Sequence, residues 1–449
     1  MAPARFLLGA LAGLVLVVAG SRASAQEAAD CPKAMPAESR CFAGQDPNGA
    51  FYWIVMPKAW NGSLVVHTHG GPSLKRPYRD QPTEDLTRFA VTVQEGFAWA
   101  GSSYRHAGFG VRDAAADTDA LRQIFWTRFG RPRHTLLHGQ SWGANVAAKT
   151  AELYGADASG KPTYDGVILT SGVLGGGTKS YDFRADLRAV YQYYCRNLPN
   201  RDEPAYPLWQ GLDVNDRLRR DEVLARIDAC TGVDLPAARR TPEQQRVLTN
   251  ILTVIRIPQR TLVSHLDWAT FTFRDLVHRQ LKDQNPFSNM GVVYAGSDDD
   301  AALNRGVARF AASQAGVDAL AYDADLTGRL TVPTLTMHAE DDPTAFVELE
   351  SEFHDTVARA GSASLLVQSF TDEHEHSKEA TPEYAALFRG MIAWIETGAK
   401  PSVAALAAEC ERAKGDYGEA CHFDPAFHPK PLDSRVYPRI KPRPRAGSR

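Results

Sequence analysis

The sequence lacks the marks of several large function classes. No Lys/Arg-rich run or basic stripe occurs in its 449 residues, and the formal net charge is −3, so a nucleic-acid partner is not expected. There is no Cys-x-x-Cys pair, which removes the common zinc spacings. Beyond the N-terminus no apolar run reaches the roughly 18–20 residues that a membrane helix needs, so no stable membrane span is expected. No internal repeat is visible. Hydrophobic residues make up 44% and charged residues 23%, an ordinary globular balance that excludes collagen-like, fibrous and disordered chains. The length suits one large domain carrying an inserted subdomain, or two domains.

The first residues read as a processing segment. Arg5 supplies a positive start, an apolar run follows from Phe6 to about Val18, and Ala23-Ser24-Ala25 is the small-x-small pattern of a signal-peptidase site. A signal peptide is therefore expected over residues 1–25, with export to the periplasm or beyond. Six cysteines follow: Cys31, Cys41, Cys195, Cys230, Cys410 and Cys421. An even count in an exported chain favours disulfides. Their clustering suggests three local pairs, 31–41, 195–230 and 410–421.

From Phe51 to about Gly177 apolar runs alternate with amphipathic stretches. Strands are expected at Phe51–Met56, Ser63–His67, Phe97–Gly101, His134–His138 and Val167–Thr170, with helices at Asp113–Phe129 and from Trp142 to about Tyr154. Such alternation implies a largely parallel sheet covered on both faces. The rhythm breaks between Thr178 and Leu330, where helices are the better reading, and returns with strands at Val332–Met337 and Ser364–Phe370. The expected organisation is a core in two parts, 26–177 and 331–399, a helical insertion at 178–330, and a C-terminal extension at 400–449 with a loosely held end.

The sharpest local signal is Gly139-Gln140-Ser141-Trp142-Gly143, set between an expected strand and an expected helix. A serine on so tight a turn projects its hydroxyl above the sheet, and the helix N-terminus behind it offers N–H groups to a developing oxyanion. His69-Gly70-Gly71-Pro72 follows an earlier strand. Two N–H donors are needed for a tetrahedral intermediate, and Trp142 and Gly71 are the candidates for this oxyanion hole. The nucleophile needs a base, and the base needs an orienting carboxylate, in the chain order Ser, acid, His. The turn His338-Ala339-Glu340-Asp341-Asp342-Pro343 offers three acids, of which Asp342, at its far side, is the candidate. The loop after the last strand offers His374 and His376. A zinc site built from these two and His67/His69 is the competing use of the histidines.

Together these residues resemble the α/β-hydrolase superfamily, over about 51–177 and 330–397. Within it, His69-Gly-Gly-Pro72 with Gly139-Gln-Ser-Trp-Gly143 looks like the prolyl aminopeptidase and related esterase branch. Exported bacterial members often end in Asp-x-x-Gly-His-Cys. Setting Asp372 on that aspartate puts the histidine on His376, with Glu375 replacing the glycine and Ser377 the cysteine. The acid pattern Gly-x-x-Asp matches Ala339-x-x-Asp342. The resemblance implies an eight-stranded sheet with a helical cap over the active site.

The expected activity is acyl transfer: a serine hydrolase cleaving carboxylic esters through Ser141, His376 and Asp342 by way of an acyl-enzyme. This chemistry requires no cofactor and no metal. The expected partner is a small ester or a short peptide, and no motif specifies an oligomeric state. The alternatives are an exopeptidase of the prolyl aminopeptidase type and a non-catalytic binding protein on the same scaffold. The exopeptidase needs acids near the serine to hold a free amine, and Asp182, Asp186 and Glu222 are available. Substrate choice should lie in the insertion, where Tyr181, Tyr191, Tyr194, Trp209, Trp268, Phe271 and Phe273 could line a pocket or pack the insertion itself.

Overall fold

A computed structural model describes residues 27–445 and 447. The expected signal peptide, 1–25, lies outside these residues. Apolar runs between turns form nine strands: β1 Glu27–Ala29, β2 Arg40–Gln45, β3 Phe51–Met56, β4 Leu64–Thr68, β5 Ala98–Ser102, β6 Thr135–Gln140, β7 Gly166–Thr170, β8 Thr334–Ala339 and β9 Leu366–Thr371. They make one sheet in the order β1-β2-β3-β5-β4-β6-β7-β8-β9. The pairs β1/β2, β2/β3 and β3/β5 are antiparallel. From β5 onward every pair is parallel. The eight strands that the resemblance implies are β2–β9, and β1 adds a three-residue edge.

The central strands are buried along their whole length, as parallel strands covered on both faces must be. Alternate residues serve opposite faces. Leu64, Val66, Leu137, Val167 and Leu169 pack in one apolar cluster with Leu121 and Phe125 of the helix Val111–Phe129 and Ala144 and Ala147 of the helix Trp142–Tyr154. Val65, Leu136, Ile168 and Leu335 face the other way, onto Leu387, Phe388 and Met391 of the helix Thr381–Thr397. The result is an α/β sandwich of the kind expected for an α/β-hydrolase.

Between β7 and β8 the described chain contains helices and no strand, including Asp182–Cys195, Arg220–Thr231, Pro242–Ile255 and Gln259–Asp267. The last runs on into two π-helical stretches, Trp268–Thr272 and Asp275–Gln280. All three expected cysteine pairs stand at disulfide distance, with Cα–Cα separations of 5.3, 5.7 and 6.0 Å for 31–41, 195–230 and 410–421. Among the described residues no helix is long and apolar enough to cross a membrane.

The C-terminal extension forms the helix Val403–Tyr417 and then runs back over the insertion. There the Arg439 guanidinium meets Asp186 at 2.8 Å and the Lys441 ammonium meets Asp182 at 3.0 Å. Two buried carboxylates, otherwise unneutralised, hold this strap in place.

Candidate active site

Four loops leave the C-terminal ends of parallel strands and meet. β4 leads into His69-Gly-Gly-Pro72, β6 into Ser141, β8 into Asp342 and β9 into His376. Because these strands share one direction, their loops necessarily open on the same edge of the sheet, where open α/β sheets bind ligands.

The turn at Ser141 explains its flanking glycines. Ser141 has φ 59° and ψ −125°. Its N–H donates to the Thr170 carbonyl at 2.9 Å, and its own carbonyl accepts from Val173 N–H at 3.1 Å. A Cβ at Gly139 would stand 2.3 Å from the Gly143 carbonyl oxygen, and one at Gly143 would stand 2.2 Å from that of Thr68. Both separations are shorter than any side chain tolerates, so the close crossing of β4 by this turn demands glycine at both places.

The Ser141 hydroxyl lies 2.9 Å from His376 Nε2, and His376 Nδ1 lies 2.6 Å from Asp342 Oδ2. His374 stands apart. Its ring is exposed and within 3.7 Å of Asp341 and 3.6 Å of Asp372. Asp341 is likewise at the surface. Glu375, in the family's glycine position, is not among the residues with positive φ, which is why a side chain is accepted there.

Asp342 is buried, and its remaining lone pairs are occupied. Oδ1 accepts from the N–H groups of Thr344 at 2.8 Å and Ala345 at 3.0 Å, and Oδ2 lies 3.3 Å from His338 Nε2. Burial alone would raise its pKa, but the imidazoles of His376 and His338 more than offset that and hold it below the usual carboxylate range. His338 is itself fully buried. Its Nε2–H donates to the Ala345 carbonyl at 2.7 Å, and Nδ1 lies 3.3 Å from Glu350. Burial opposes its charge, yet Asp342 and Glu350 raise its pKa to about 10.

Trp142 is the first residue of its helix, so its N–H has no intrahelical acceptor. Gly71 lies on the wall of the same cavity, with φ 133°. That cavity is about 430 Å³, and Ser141, His376, Tyr181, Arg184 and Trp268 also line it. Of the aromatics singled out in the insertion, Tyr181 and Trp268 thus face the serine, while Tyr191 and Phe273 are buried in apolar clusters. Asp182 and Asp186 are taken by the C-terminal strap, and Glu222 accepts the Arg219 N–H at 2.8 Å. A larger concavity of about 820 Å³, on the insertion, shares no lining residue with the serine's cavity.

The first histidine pair is used differently from a metal site. His69 Nδ1 bonds the buried Asp85, and His67 lies 3.6 Å from the same carboxylate and 3.1 Å from His138. Burial lowers the His69 pKa, but Asp85 outweighs it and raises the value above that of a free histidine. Among the described residues, no group of three or more His, Cys, Asp or Glu is arranged to hold a metal ion. Sequence reasoning missed Asp85, His338, Glu350 and Arg184. A histidine inside a buried strand, as at position 338, was the one available signal, since burial obliges it to find a partner.

No family model matches the chain. Over 114 residues, 24% of this chain and 23% of the relative, it is 28% identical to an o-phthalyl amidase from Xanthobacter agilis. The alignment therefore takes in under a quarter of that protein's length. Among solved structures, the feruloyl esterase B of Aspergillus oryzae superposes with a TM-score of 0.44 at 13% identity, over 81% of this chain and 82% of that one. Lipase A of Candida antarctica gives 0.44 at 13% identity, over 81% and 79%. These values bear on overall shape and carry nothing about substrate.

Proposed function

We propose that this chain is an exported serine hydrolase that cleaves carboxylic esters. The observation that carries the proposal is the continuous relay of Ser141 Oγ, His376 and Asp342, at 2.9 and 2.6 Å, between groups brought from three separate loops. As Ser141 Oγ attacks the ester carbonyl carbon, His376 Nε2 takes its proton and Asp342 stabilises the resulting imidazolium. The carbonyl π electrons move onto oxygen, where the N–H groups of Gly71 and Trp142 receive the charge. Each such donor lowers the barrier by roughly 2.7–4 kcal/mol. The C–O bond to the alcohol breaks, and His376 returns the proton to the leaving oxygen. Water activated by the same imidazole then releases the acid and regenerates Ser141.

The helical segment 178–330 acts in this reading as a cap that selects the acyl group, since it supplies Tyr181, Arg184 and Trp268 to the cavity. The aminopeptidase alternative finds little support in the insertion, whose candidate acids are engaged elsewhere; on the cavity wall Asp85 is paired with His69, which leaves Glu84 as the acid that such an activity would have to use. Amide cleavage is a second reading, favoured by the partial match to an amidase. Export rests on the Ala23-Ser-Ala25 pattern and the three disulfides. N-terminal sequencing of the secreted product should begin at Gln26.

The test is turnover of p-nitrophenyl esters beside an anilide and an aminoacyl-naphthylamide, together with fluorophosphonate labelling. Ester turnover and labelling, both lost in Ser141→Ala, are expected. Folded protein that neither reacts with the probe nor turns over any ester would leave only the binding-protein alternative.

A further inference from the structure

One buried cation on the wall of the serine's cavity has no carboxylate at ion-pair distance among the described residues. Arg184, in the helix Asp182–Cys195, is 6% exposed. Its guanidinium carbon lies 4.6 Å from the ring centres of both Phe183 and Trp268 and 5.8 Å from that of Tyr181. Of its five N–H donors, the described residues engage one, through a long 3.4 Å bond from Nη2 to the Thr344 carbonyl. Nε is buried with no partner. Asp342 lends distant electrostatic support, but its oxygens are committed to His376, His338 and two backbone N–H groups. Burial lowers the Arg184 pKa to about 10, which leaves it charged at neutral pH.

Other buried arginines among the described residues are better answered. Arg439 meets Asp186, Arg122 meets Asp119, and Arg188, whose Nε also lacks a partner, donates to the carbonyls of Leu198 and Gly211 at 3.1 and 3.0 Å. Beyond the long bond to Thr344, Arg184 has aromatic faces and the cavity around it. A desolvated guanidinium with spare donors is a poor structural element and a good receptor, because its planar fork matches a carboxylate in two parallel hydrogen bonds. We propose that Arg184 binds a carboxylate carried by the substrate, so that the enzyme prefers esters or amides bearing a second, ionised carboxyl group. Tyr181 and Trp268 stack at 4.6 Å beside it and offer an apolar surface to the carbon skeleton between that carboxylate and the scissile carbonyl. The substrate preference rests on the hydrolase reading, whereas the anion site itself does not.

Two measurements separate the ideas. The first compares kcat/KM for mono-p-nitrophenyl glutarate and its neutral methyl ester, which places the charge on the acyl side. Beside them, 4-carboxyphenyl acetate and 4-carbamoylphenyl acetate place it on the leaving group. One charged ester is expected to exceed its neutral partner by at least about tenfold, and Arg184→Gln should bring that ratio close to one while Arg184→Lys keeps part of it. The second follows quenching of tryptophan fluorescence by benzoate, with benzamide as the neutral control, because Trp142 and Trp268 line the cavity. Benzoate should bind at least about tenfold more tightly than benzamide, and Arg184→Gln should abolish the difference. Equal kcat/KM within both wild-type ester pairs overturns the substrate preference while leaving the hydrolase standing. No ester turnover with Arg184-dependent benzoate binding overturns the hydrolase and leaves the anion site. Benzoate and benzamide binding alike, or a difference that Arg184→Gln does not change, overturns the anion site without recourse to catalysis.

Discussion

His338 shows how far a single side chain can work from behind a site. It touches neither Ser141 nor the cavity, yet it is held between Asp342 and Glu350 with no access to solvent. As an imidazolium it gives its Nε2–H to the Ala345 carbonyl and faces Glu350 with Nδ1, and its positive charge beside Asp342 helps keep that carboxylate ionised. Its pKa rises from 6.5 to about 10 on folding, so the folded protein keeps a proton that the unfolded chain releases near pH 6.5. The associated stability is complete below about pH 6.5 and is lost as the pH climbs through 10. Urea unfolding of the wild type should therefore weaken over that window more steeply than that of His338→Gln. Parallel curves would remove the buried imidazolium from the account. At this scale the elbow was legible because its glycines answer a local steric demand. Asp342 was legible by its place on a turn, and His376 through the resemblance alone. Asp85, His338 and Arg184 were not, because each acquires its meaning from a partner brought in by tertiary packing.

At the scale of elements, the sheet was readable wherever apolar runs were short and bounded by Gly or Pro. The helix Trp142–Tyr154 and the strand Phe51–Met56 match expectation residue for residue at both ends. β2 escaped because Arg40–Gln45 alternates weakly and mixes charge with small residues. The bounds of helix Gln259–Asp267, within the stretch read as helical, were not legible because it merges with the π-helical stretch at Trp268, and that widened turn disturbs the 3.6-residue periodicity on which recognition depends. Trp268 lines the cavity from this very turn. The insertion is stapled by Cys195–Cys230, which joins the end of one helix to another across 35 residues. Replacing both cysteines by serine is expected to lower stability by about 2–4 kcal/mol. The loss should appear in hydrogen exchange as lost protection in Asp182–Cys195 and Arg220–Thr231 ahead of the sheet. Uniform loss across the sheet as well would show that insertion and core unfold as one unit.

On the scale of the whole molecule, four loops distant in sequence converge at the serine, and the C-terminal strap runs over the insertion that contributes Tyr181, Arg184 and Trp268 to the cavity wall. Arg439 is the centre of that contact, pairing with Asp186 while donating to the Ser288 carbonyl at 3.0 Å. Arg439→Met should destabilise by roughly 3–5 kcal/mol in urea unfolding, because it leaves a buried carboxylate without its cation. A loss under about 1 kcal/mol would mean that the strap is held by its other contacts. The sequence pattern could not foretell the strap, since a run rich in Pro, Arg and Lys reads as a tail until the acids that receive it are in view.

The central claim is that the hydroxyl of Ser141 becomes acylated, and quenched-flow hydrolysis of p-nitrophenyl acetate followed by peptide mass spectrometry tests it most directly. The account predicts a burst of one p-nitrophenol per chain and a single acetyl group on the peptide containing Ser141, both absent in Ser141→Ala. Steady turnover with no burst and no modified serine, or an acetyl group found on another residue, would contradict it.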